Sequence, residues 1–375
     1  MIYLDNAGTT VVLNECVEIY NKYQIAEYFN PSAPYHNSLI LAKDIKNARN
    51  EILKSLKAES GQFIFTSSGS ESDNLALFGS KKINGSRIIV SKSEHPAIYN
   101  SAMELKQRGY DVVFCDVDST GRVLEESFRE LINDNTSLIS IMHVNNETGC
   151  VNDIKRLCQI AKSKKKDVIF HSDGVQAMGK IKVNISDLGV DMYTISGHKI
   201  HAPKGIAGLY VKENIHLKPL IFGGGQENGI RSSTENVGGI MAFAYAIKEA
   251  IRLQSETDIK LEKIRDELAS FFKQNECVVI DSETQSQYIL CVAMKYVRGE
   301  VMLHSLEKYD ILIGTGSACS SKKGHKKLPS ILKLKKEYMD GIIRLSFSRF
   351  TQENDIEYFK KCFNLEYNSL KKYIN

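Results

Sequence analysis

The fold follows from one stretch of the sequence, Tyr193-Thr194-Ile195-Ser196-Gly197-His198-Lys199. It continues an apolar segment that begins at Asp191 and is typical of a buried strand. A small Ser-Gly pair then turns the chain, and a histidine and a lysine stand at the carboxyl end of the strand. A lysine amine held there, partly out of water, suits a Schiff base with an aldehyde cofactor. The stretch therefore indicates an α/β fold with a site for pyridoxal phosphate (PLP) at Lys199.

Short apolar runs alternate with helical patterns along most of the chain. Strands are predicted at 62–66, 87–91, 111–116, 137–142, 167–171, 192–196 and 207–211. Helices are predicted around 45–56, 70–80, 153–165 and 234–273, because apolar residues recur there at helical spacing or a helix start signal is present. Alternation of this kind predicts an α/β core with a mainly parallel sheet.

The pattern changes after the long helix, where strands are predicted at 278–281, 288–293 and 342–347. We therefore predict two domains. The large one, residues 14–255, has a mainly parallel mixed sheet between helices. The smaller α+β domain consists of residues 1–13 and 256–375 and carries the loop around Cys319.

The composition excludes several classes of protein. The 375 residues are 42% hydrophobic and 25% charged, as in ordinary soluble proteins, and the net charge of +4 is too small to suggest nucleic-acid binding. No apolar stretch reaches about 18 residues, so no membrane span is expected. The N-terminus does not resemble a signal peptide, and the eight cysteines show neither CxxC pairs nor zinc spacing. We expect a cytoplasmic protein without a metal site.

A second strand end carries a carboxylate, in Phe170-His171-Ser172-Asp173-Gly174-Val175-Gln176. Ligands of open α/β sheets bind at this edge. A buried Asp173 needs a cationic partner, and a protonated pyridine nitrogen would provide one. Gln176 is close enough in sequence to reach the ring oxygen of the same cofactor. Taken alone, Asp173 is better explained as a simple helix N-cap, but Lys199 downstream reverses the preference in favour of the cofactor.

Three further strand ends each allow two interpretations. Backbone N–H groups around Gly69 and Ser70, at a helix start, can bind an anion, or Ser68 and Glu71 form an ordinary capping box. His95 offers a flat ring to stack on a cofactor, or it is a turn residue before Pro96. The pair Asn145-Asn146 supplies an amide to the cofactor, or it only forms a turn.

Two residues nearer the C-terminus also suggest function. Cys319 lies among small and polar residues, so we expect it on an exposed loop where Lys322, Lys323 and His325 favour its reactive thiolate form. Arg344 is a charge inside an apolar strand. Such an arginine pairs with a carboxylate, either a structural Asp or Glu or the α-carboxylate of a substrate.

Together these motifs resemble the cysteine desulfurases of the NifS/IscS type, in the class V aminotransferase group of PLP fold-type I enzymes. The resemblance covers essentially the whole chain. In chain order, the motifs that carry it are Tyr3-Leu4-Asp5-Asn6, Asn30-Pro31-Ser32 with His36, Glu94-His95, Asn145-Asn146-Glu147, Asp173 with Gln176, Ser196-Gly197-His198-Lys199, Arg231-Ser232 with Thr234-Glu235-Asn236, Gly316-Ser317-Ala318-Cys319, and Arg344 with Arg349-Phe350.

The resemblance implies a homodimeric enzyme that converts L-cysteine to L-alanine and leaves the sulfur on Cys319 as a persulfide. Lys199 would hold PLP and move protons, and Cys319 and His95 would be the other catalytic residues. The implied ligands are His95, Asp173, Asn146 and Gln176 for the ring, then Gly69, Ser70, Ser196, His198 and the partner subunit's Thr234 for the phosphate, and Asn30 and Arg344 for the substrate carboxylate.

The resemblance also implies a protein that accepts the sulfur, for iron–sulfur cluster assembly or for tRNA or thiamine thiolation. Because the chain ends at Asn375, soon after its final helical pattern, we expect a dedicated acceptor such as a tRNA-thiolation sulfurtransferase. Gly8, Ser70, Asn228 and Ser233 depart from the usual family pattern. Selenocysteine or cysteine-sulfinate lyase activity, and a non-catalytic subunit of a sulfur system, are the alternatives.

Overall fold

The computed structural model describes residues 1–315 and 327–372. Its strands are β1 Ile2–Leu4, β2 Gln62–Thr66, β3 Arg87–Ser91, β4 Asp111–Cys115, β5 Thr136–Ser140, β6 Ile169–Asp173, β7 Met192–Ser196, β8 Ala207–Val211, β9 Val278–Ile280, β10 Ile289–Ala293, β11 Ile311–Thr315 and β12 Ile342–Ser346. Its helices are α1 Asn14–Ile25, α2 His36–Ser55, α3 Gly69–Gly79, α4 Pro96–Gln107, α5 Glu125–Leu131, α6 Ile154–Lys164, α7 Ile185–Leu188, α8 Val237–Gln274, α9 Gly299–Glu307, α10 Lys327–Ile331 and α11 Glu353–Lys371.

The larger sheet of the described residues has seven strands in the order β2-β8-β7-β6-β5-β3-β4. Strand β8 runs antiparallel to both of its neighbours, β2 and β7, and the other neighbours pair in parallel. The carboxyl ends of β2, β3, β5, β6 and β7 therefore lie along one edge of the sheet, where open α/β folds bind ligands.

Helices cover both faces of this sheet. Along β3, the side chains of Ile88 and Val90 pack in a cluster with residues of α3 and α4, and Ile89 between them packs in a second cluster with residues of α2, α6 and α8. Side chains of a strand alternate between faces, so a strand buried on both faces reads as a continuous apolar run. The predicted α/β fold with a mainly parallel sheet is confirmed.

The smaller sheet has five strands among the described residues, in the order β1-β11-β12-β10-β9. Strand β1 pairs in parallel with β11, and the remaining pairs are antiparallel. The N-terminal strand thus lies beside a strand more than 300 residues later in the chain, as in the pair Tyr3 and Leu312.

Helix α8 connects the two cores. Its residues up to Ile247 belong to the core of the larger sheet, and its residues from Leu261 belong to the core of the smaller sheet. The domain division at residue 255, which lies within this helix, stays a prediction.

Several elements differ from the sequence-based prediction, and two strands near the site are among them. Strand β11 was not predicted, because its short apolar run is stabilised by pairing with β1 and β12, which lie far away in sequence. Strand β6 runs to Asp173 rather than ending at His171, since Ser172 and Asp173 are buried and paired with β7 despite their polar side chains. Within the described part of the chain, no helix is both long and apolar enough to cross a membrane.

Candidate active site

Lys199 lies at the carboxyl end of β7, where the chain makes one turn of 3-10 helix over Gly197–Lys199. The turn requires a small residue, because a Cβ on Gly197 would lie 3.0 Å from side-chain atoms of both Ala202 and Ile206. The Lys199 amine donates hydrogen bonds to the carbonyl oxygens of Ala7 (2.6 Å) and Gly8 (2.7 Å). The half-buried amine is thereby held at the edge of the larger sheet.

The segment after β1 closes over this turn. The backbone N–H and the hydroxyl of Thr10 donate to the carbonyl oxygen of His198 at 2.9 and 3.0 Å. The Nδ1 atom of His198 lies 3.2 Å from the hydroxyl of Thr9. Burial, with the nearby Lys199 charge acting in the same direction, lowers the pKa of His198 to about 4. His198 is therefore a neutral imidazole at physiological pH.

Asp173, His95 and Lys199 form a group of interacting charges at the same edge. Asp173 is the last residue of β6, is 6% exposed, and accepts a hydrogen bond from the backbone N–H of Val175 at 2.9 Å. Burial raises the pKa of Asp173, and the charges of His95 and Lys199 oppose that rise. The following residues form turns, so Asp173 does not cap a helix.

His95 is the N-cap of α4 and is half-buried. Its Nδ1 accepts a hydrogen bond from the N–H of Ala97 at 3.1 Å. Burial lowers the pKa of His95, Lys199 adds to the decrease, and Asp173 opposes it. A neutral ring that accepts at Nδ1 carries its proton on Nε2, so Nε2 is the nitrogen that can donate to a ligand.

The start of α3 lies beside the end of β7. A Cβ on Gly69 would lie 3.5 Å from the Cβ of Ser196. The hydroxyl of Ser196 is buried and has no hydrogen-bond partner among the described residues. Unpaired N–H groups of a helix start, together with a free hydroxyl, can bind an anion.

This turn forms one of the two hydrogen bonds of the predicted capping box. The Ser68 hydroxyl accepts a hydrogen bond from the N–H of Glu71 at 3.1 Å, as an N-cap does. The Glu71 carboxylate does not bind back to Ser68. It accepts instead from the N–H of Ser67 and from Arg231, both at 2.8 Å. Ser70, in the first turn of α3, is exposed.

Arg344, on β12, has the carboxylate partner that the sequence led us to expect, and it is a structural one. Its Nη2 donates to Asp5 at 2.7 Å, and its Nη1 donates to the carbonyl oxygen of Asn146 at 2.8 Å. Its buried Nε has no hydrogen-bond partner in the described ranges. The neighbouring Asn145 forms the turn, because its side-chain oxygen accepts from the N–H groups of Glu147 and Thr148.

Three predicted site residues are not brought into this group. Asn30 is exposed on the loop between α1 and α2, where its side-chain oxygen accepts from the N–H of Ser32 at 2.9 Å. Thr234 is exposed and lines a cleft with Thr66 and Ser67, near the start of α3. Cys319 lies outside the described residues.

The family model for "Aminotransferase class-V" matches residues 2–359. This chain belongs to the aminotransferase class-V family. A cysteine desulfurase of Nostoc sp. is 38% identical to this class-V protein over 366 residues, which are 95% of the chain and 90% of the relative. The cysteine desulfurase IscS of Dictyoglomus turgidum is 35% identical over 369 residues, 95% of the chain and 92% of the relative.

Solved structures show the same similarity. A NifS-like protein superposes with a TM-score of 0.91 at 30% identity, and the match covers 99% of both chains. The structure of SspA in complex with cysteine superposes with a TM-score of 0.81 at 28% identity, and the match covers 94% of this class-V protein and all (100%) of SspA. The class-V protein thus has the architecture of the NifS-like, PLP fold-type I enzymes.

Several buried polar groups of this class-V site are not predicted by the sequence pattern. Glu94 accepts hydrogen bonds from the Ser91 hydroxyl at 2.5 Å and the Met142 N–H at 2.9 Å. Burial raises its pKa to about 8, and the charge of Asp173 adds to the rise. Lys180, which donates to Gln176, is 5% exposed. In the sequence, only their positions point to these two residues. Glu94 directly precedes His95, and Lys180 follows Gln176 at the spacing of one helical turn.

Proposed function

We propose that this chain is a PLP-dependent cysteine desulfurase, which converts L-cysteine to L-alanine and takes up the sulfur on Cys319 as a persulfide. The observation that carries the proposal is a group at one edge of the sheet. It consists of Lys199, the buried Asp173, and the Ser196 hydroxyl, which has no hydrogen-bond partner in the described part of the chain. The named cysteine desulfurases that this chain resembles along nearly its whole length support the reaction.

The residues present fit PLP at three points. The Ser196 hydroxyl beside Gly69, buried and without a partner among residues 1–315 and 327–372, suits the phosphate, with Ser70 and His198 as further ligands. The buried carboxyl of Asp173 suits a protonated pyridine nitrogen, which would give it a cationic partner. The Lys199 amine suits the aldehyde. When bound, PLP supplies an aldehyde that condenses with amines and a ring that accepts an electron pair.

The remaining ring ligands are proposed from their positions. His95 would stack on the ring. Its remaining hydrogen-bond donor is the N–H at Nε2, because Nδ1 already accepts from the N–H of Ala97. Asn146 and Gln176 would bond the ring oxygen. Lys199 would move protons to and from the substrate, since its amine is half-buried beside backbone carbonyls that orient it.

Arg344 would bind the α-carboxylate of L-cysteine, assisted by Asn30. Two of the arginine's nitrogens are already held by Asp5 and Asn146, so the guanidinium is fixed before substrate arrives. Its buried Nε has no partner in the described part of the chain, which leaves a donor available. A charged, pre-oriented donor is suited to carboxylate recognition.

Sulfur transfer requires a thiol other than that of the substrate. The bond between Cβ and Sγ of L-cysteine breaks, a new S–S bond forms at Cys319, and protons return to the carbon that becomes the methyl group of alanine. One L-cysteine and one thiol thus give one alanine and one persulfide, so no external oxidant is needed. Cys319 is proposed for this step because Lys322, Lys323 and His325 are close to it in the sequence and would favour its thiolate.

We further propose a homodimer in which Thr234 completes the phosphate site of the partner subunit. We also propose an acceptor protein that takes the persulfide sulfur for iron–sulfur cluster assembly or for thiolation.

The cytoplasm is the proposed compartment. Its reducing conditions suit the seven cysteines of the described residues, all of which are buried and free.

The proposal is tested by measuring alanine formed from L-cysteine after reconstitution with PLP. Wild type should form alanine, and Lys199→Ala should form none while remaining folded by circular dichroism. Lys204→Ala, which removes an exposed lysine on the following loop, is the matched control and should keep full activity. Alanine formation by Lys199→Ala at the wild-type rate would disprove the proposal.

The alternatives predict other outcomes. A selenocysteine or cysteine-sulfinate lyase would turn over its own substrate faster than cysteine and would tolerate Cys319→Ala. A desulfurase should lose cysteine turnover in Cys319→Ala but not in Cys277→Ala, where the cysteine packs in the core of the smaller sheet. A non-catalytic subunit would form no alanine under any of these conditions.

A further inference from the structure

A second lysine, Lys180, is buried near Lys199 without a role in the mechanism described above. It lies at the end of the turns that follow β6 and is 5% exposed. Its amine donates a hydrogen bond to the side-chain oxygen of Gln176 at 2.6 Å, and it lies 5.8 Å from the centre of the Tyr288 ring. Lysine is seldom buried this far unless its amine has a specific partner.

The contacts of Gln176 determine which way its amide faces. The amide nitrogen donates to the carbonyl oxygen of Ala7 at 2.9 Å, and the amide oxygen accepts from Lys180. Rotating the amide by half a turn would place its NH₂ against the Lys180 amine and its oxygen against a carbonyl oxygen. A carbonyl oxygen only accepts, so the amide nitrogen must face Ala7, and a protonated lysine only donates, so the amide oxygen must face Lys180. Lys180 and Ala7 together therefore allow a single orientation.

The hydrogen bonds of Gln176 also connect it to Lys199. The carbonyl oxygen of Ala7 accepts hydrogen bonds from both Gln176 and Lys199, and Lys180 and Lys199 line the same small cavity. Burial, with the charges of Lys199 and Arg344 adding to the effect, lowers the pKa of Lys180 to about 7. The amine donates in either protonation state, so its hydrogen bond to Gln176 does not depend on its charge.

We propose that Lys180 is a positioning residue that occupies the amide oxygen of Gln176 and so keeps the amide nitrogen directed toward the cofactor site. This inference rests on the proposed function, in which Gln176 bonds the ring oxygen of PLP. That oxygen is phenolic and accepts hydrogen bonds when ionised, so it needs a donor. An NH₂ group has two donors; one is used by Ala7, and the second remains for PLP.

The test is a double-mutant cycle on PLP affinity, measured by absorbance titration of the apoprotein. Its members are wild type, Lys180→Met, Gln176→Met and the double variant. Lys180→Met should weaken PLP binding about tenfold in the wild-type background, the effect of about one hydrogen bond. In the Gln176→Met background it should have no further effect, because a residue that acts only through Gln176 has nothing left to position.

Two further variants separate positioning from general damage. Lys180→Arg keeps a donor and should recover most of the affinity. Lys82→Met removes another partly buried lysine that donates to backbone carbonyls, at the end of α3, and should leave PLP affinity unchanged. If Lys180→Met is not recovered folded by circular dichroism, Lys180→Gln, which keeps an N–H donor but is shorter, replaces it in the cycle and should weaken binding less.

The inference is overturned if Lys180→Met binds PLP as wild type does, or if it weakens binding equally in both backgrounds. The second result would mean that Lys180 acts independently of Gln176. Failure of the proposed function gives a different result, since wild-type protein would then bind no PLP, or would bind PLP and form no alanine from L-cysteine.

Discussion

Arg344 on β12 and Asp5 at the end of β1 form an ion pair with an N–O distance of 2.7 Å. The pair joins the central strand of the smaller sheet to the segment that covers Lys199. A Cβ on Gly314 would lie 3.0 Å from the Arg344 Nε and 2.6 Å from Asp5, so the pair also packs closely against β11. The guanidinium is therefore fixed by the fold rather than by a ligand.

Arg344→Lys should raise the KM for L-cysteine about 10- to 100-fold, the range for a lost hydrogen bond between charged groups. Lysine cannot keep the two existing bonds and also present a third donor in a plane. Steady-state kinetics with a parallel titration of PLP affinity provides the measurement. Arg298→Lys, an exposed arginine paired with Glu300, is the control and should behave as wild type. An unchanged KM, or an equal loss of PLP affinity, would exclude substrate binding by Arg344.

Asp173→Asn should lower kcat at least about 100-fold, because it removes the carboxylate that would keep the pyridine nitrogen protonated, and the protonated ring accepts electrons better. Asparagine has nearly the same shape and still accepts from the N–H of Val175, so the fold should be kept. Stopped assays of alanine formation, with thermal unfolding of the same samples, measure both effects.

The matched control is Asp191→Asn. Asp191 is equally buried but lies just before β7, at the opposite end of the sheet, where it accepts from the N–H of Phe170 and pairs with Lys162. The Asp191→Asn substitution should lower the Tm and leave kcat near the wild-type value. Similar kcat losses in both variants would show that Asp173 has only a structural role.

Gly174→Ala should destabilise the fold by about 1–3 kcal/mol, the usual cost of overpacking a core. A Cβ at this position would lie 2.1 Å from ring atoms of Tyr193, whose hydroxyl is bound to His143 at 2.7 Å. Urea unfolding measures the change. The cost should be smaller in a Tyr193→Val background, where the ring is gone, and undiminished in Tyr193→Phe, where it remains. Equal stability of Gly174→Ala and wild type would contradict the packing described here.

Glu94 makes the stability depend on pH. Burial raises its pKa in the folded protein from an ordinary 4.5 to about 8. Between these values the folded state binds a proton that the unfolded state does not, so the contribution of Glu94 is fully present below about pH 4.5 and is lost as pH rises toward 8. The loss amounts to about 1.4 kcal/mol per pH unit in this window.

Glu94→Gln imitates the protonated side chain and should remove this dependence. The difference in free energy of unfolding, variant minus wild type, should be more positive at pH 8 than at pH 5, as measured by urea unfolding at both values. Glu104→Gln, on the exposed side of α4, should show no such change. A difference between Glu94→Gln and wild type that stays constant with pH would mean that Glu94 is ionised in the fold.

Local patterns in the sequence predicted much of the fold. Strands β7 and β8 have the predicted bounds, because each is a compact apolar run between turn residues. The rule that ligand groups gather at the carboxyl ends of parallel strands placed Asp173, Ser196 and His95 at one edge. Strand β11 escaped prediction, since its five residues become a strand only beside β1 and β12.

The polar contacts of the site were less predictable. The carbonyl oxygen of Ala7 binds Lys199 from 192 positions away, and Glu94 binds the N–H of Met142 across 48 positions. Contacts of this kind depend on how distant segments pack and leave no periodic trace in the sequence. Lys180 was missed for a related reason, because its spacing from Gln176 becomes informative only once both are known to be buried.

The central claim is that sulfur from L-cysteine is transferred to Cys319. It is tested most directly by mass spectrometry of peptides after incubation of the PLP-reconstituted protein with L-cysteine and alkylation. The account predicts one additional sulfur atom on the peptide that contains Cys319, absent when L-cysteine is omitted or Lys199 is replaced by alanine. Alanine formation with the added sulfur on another cysteine, or on none, would contradict it.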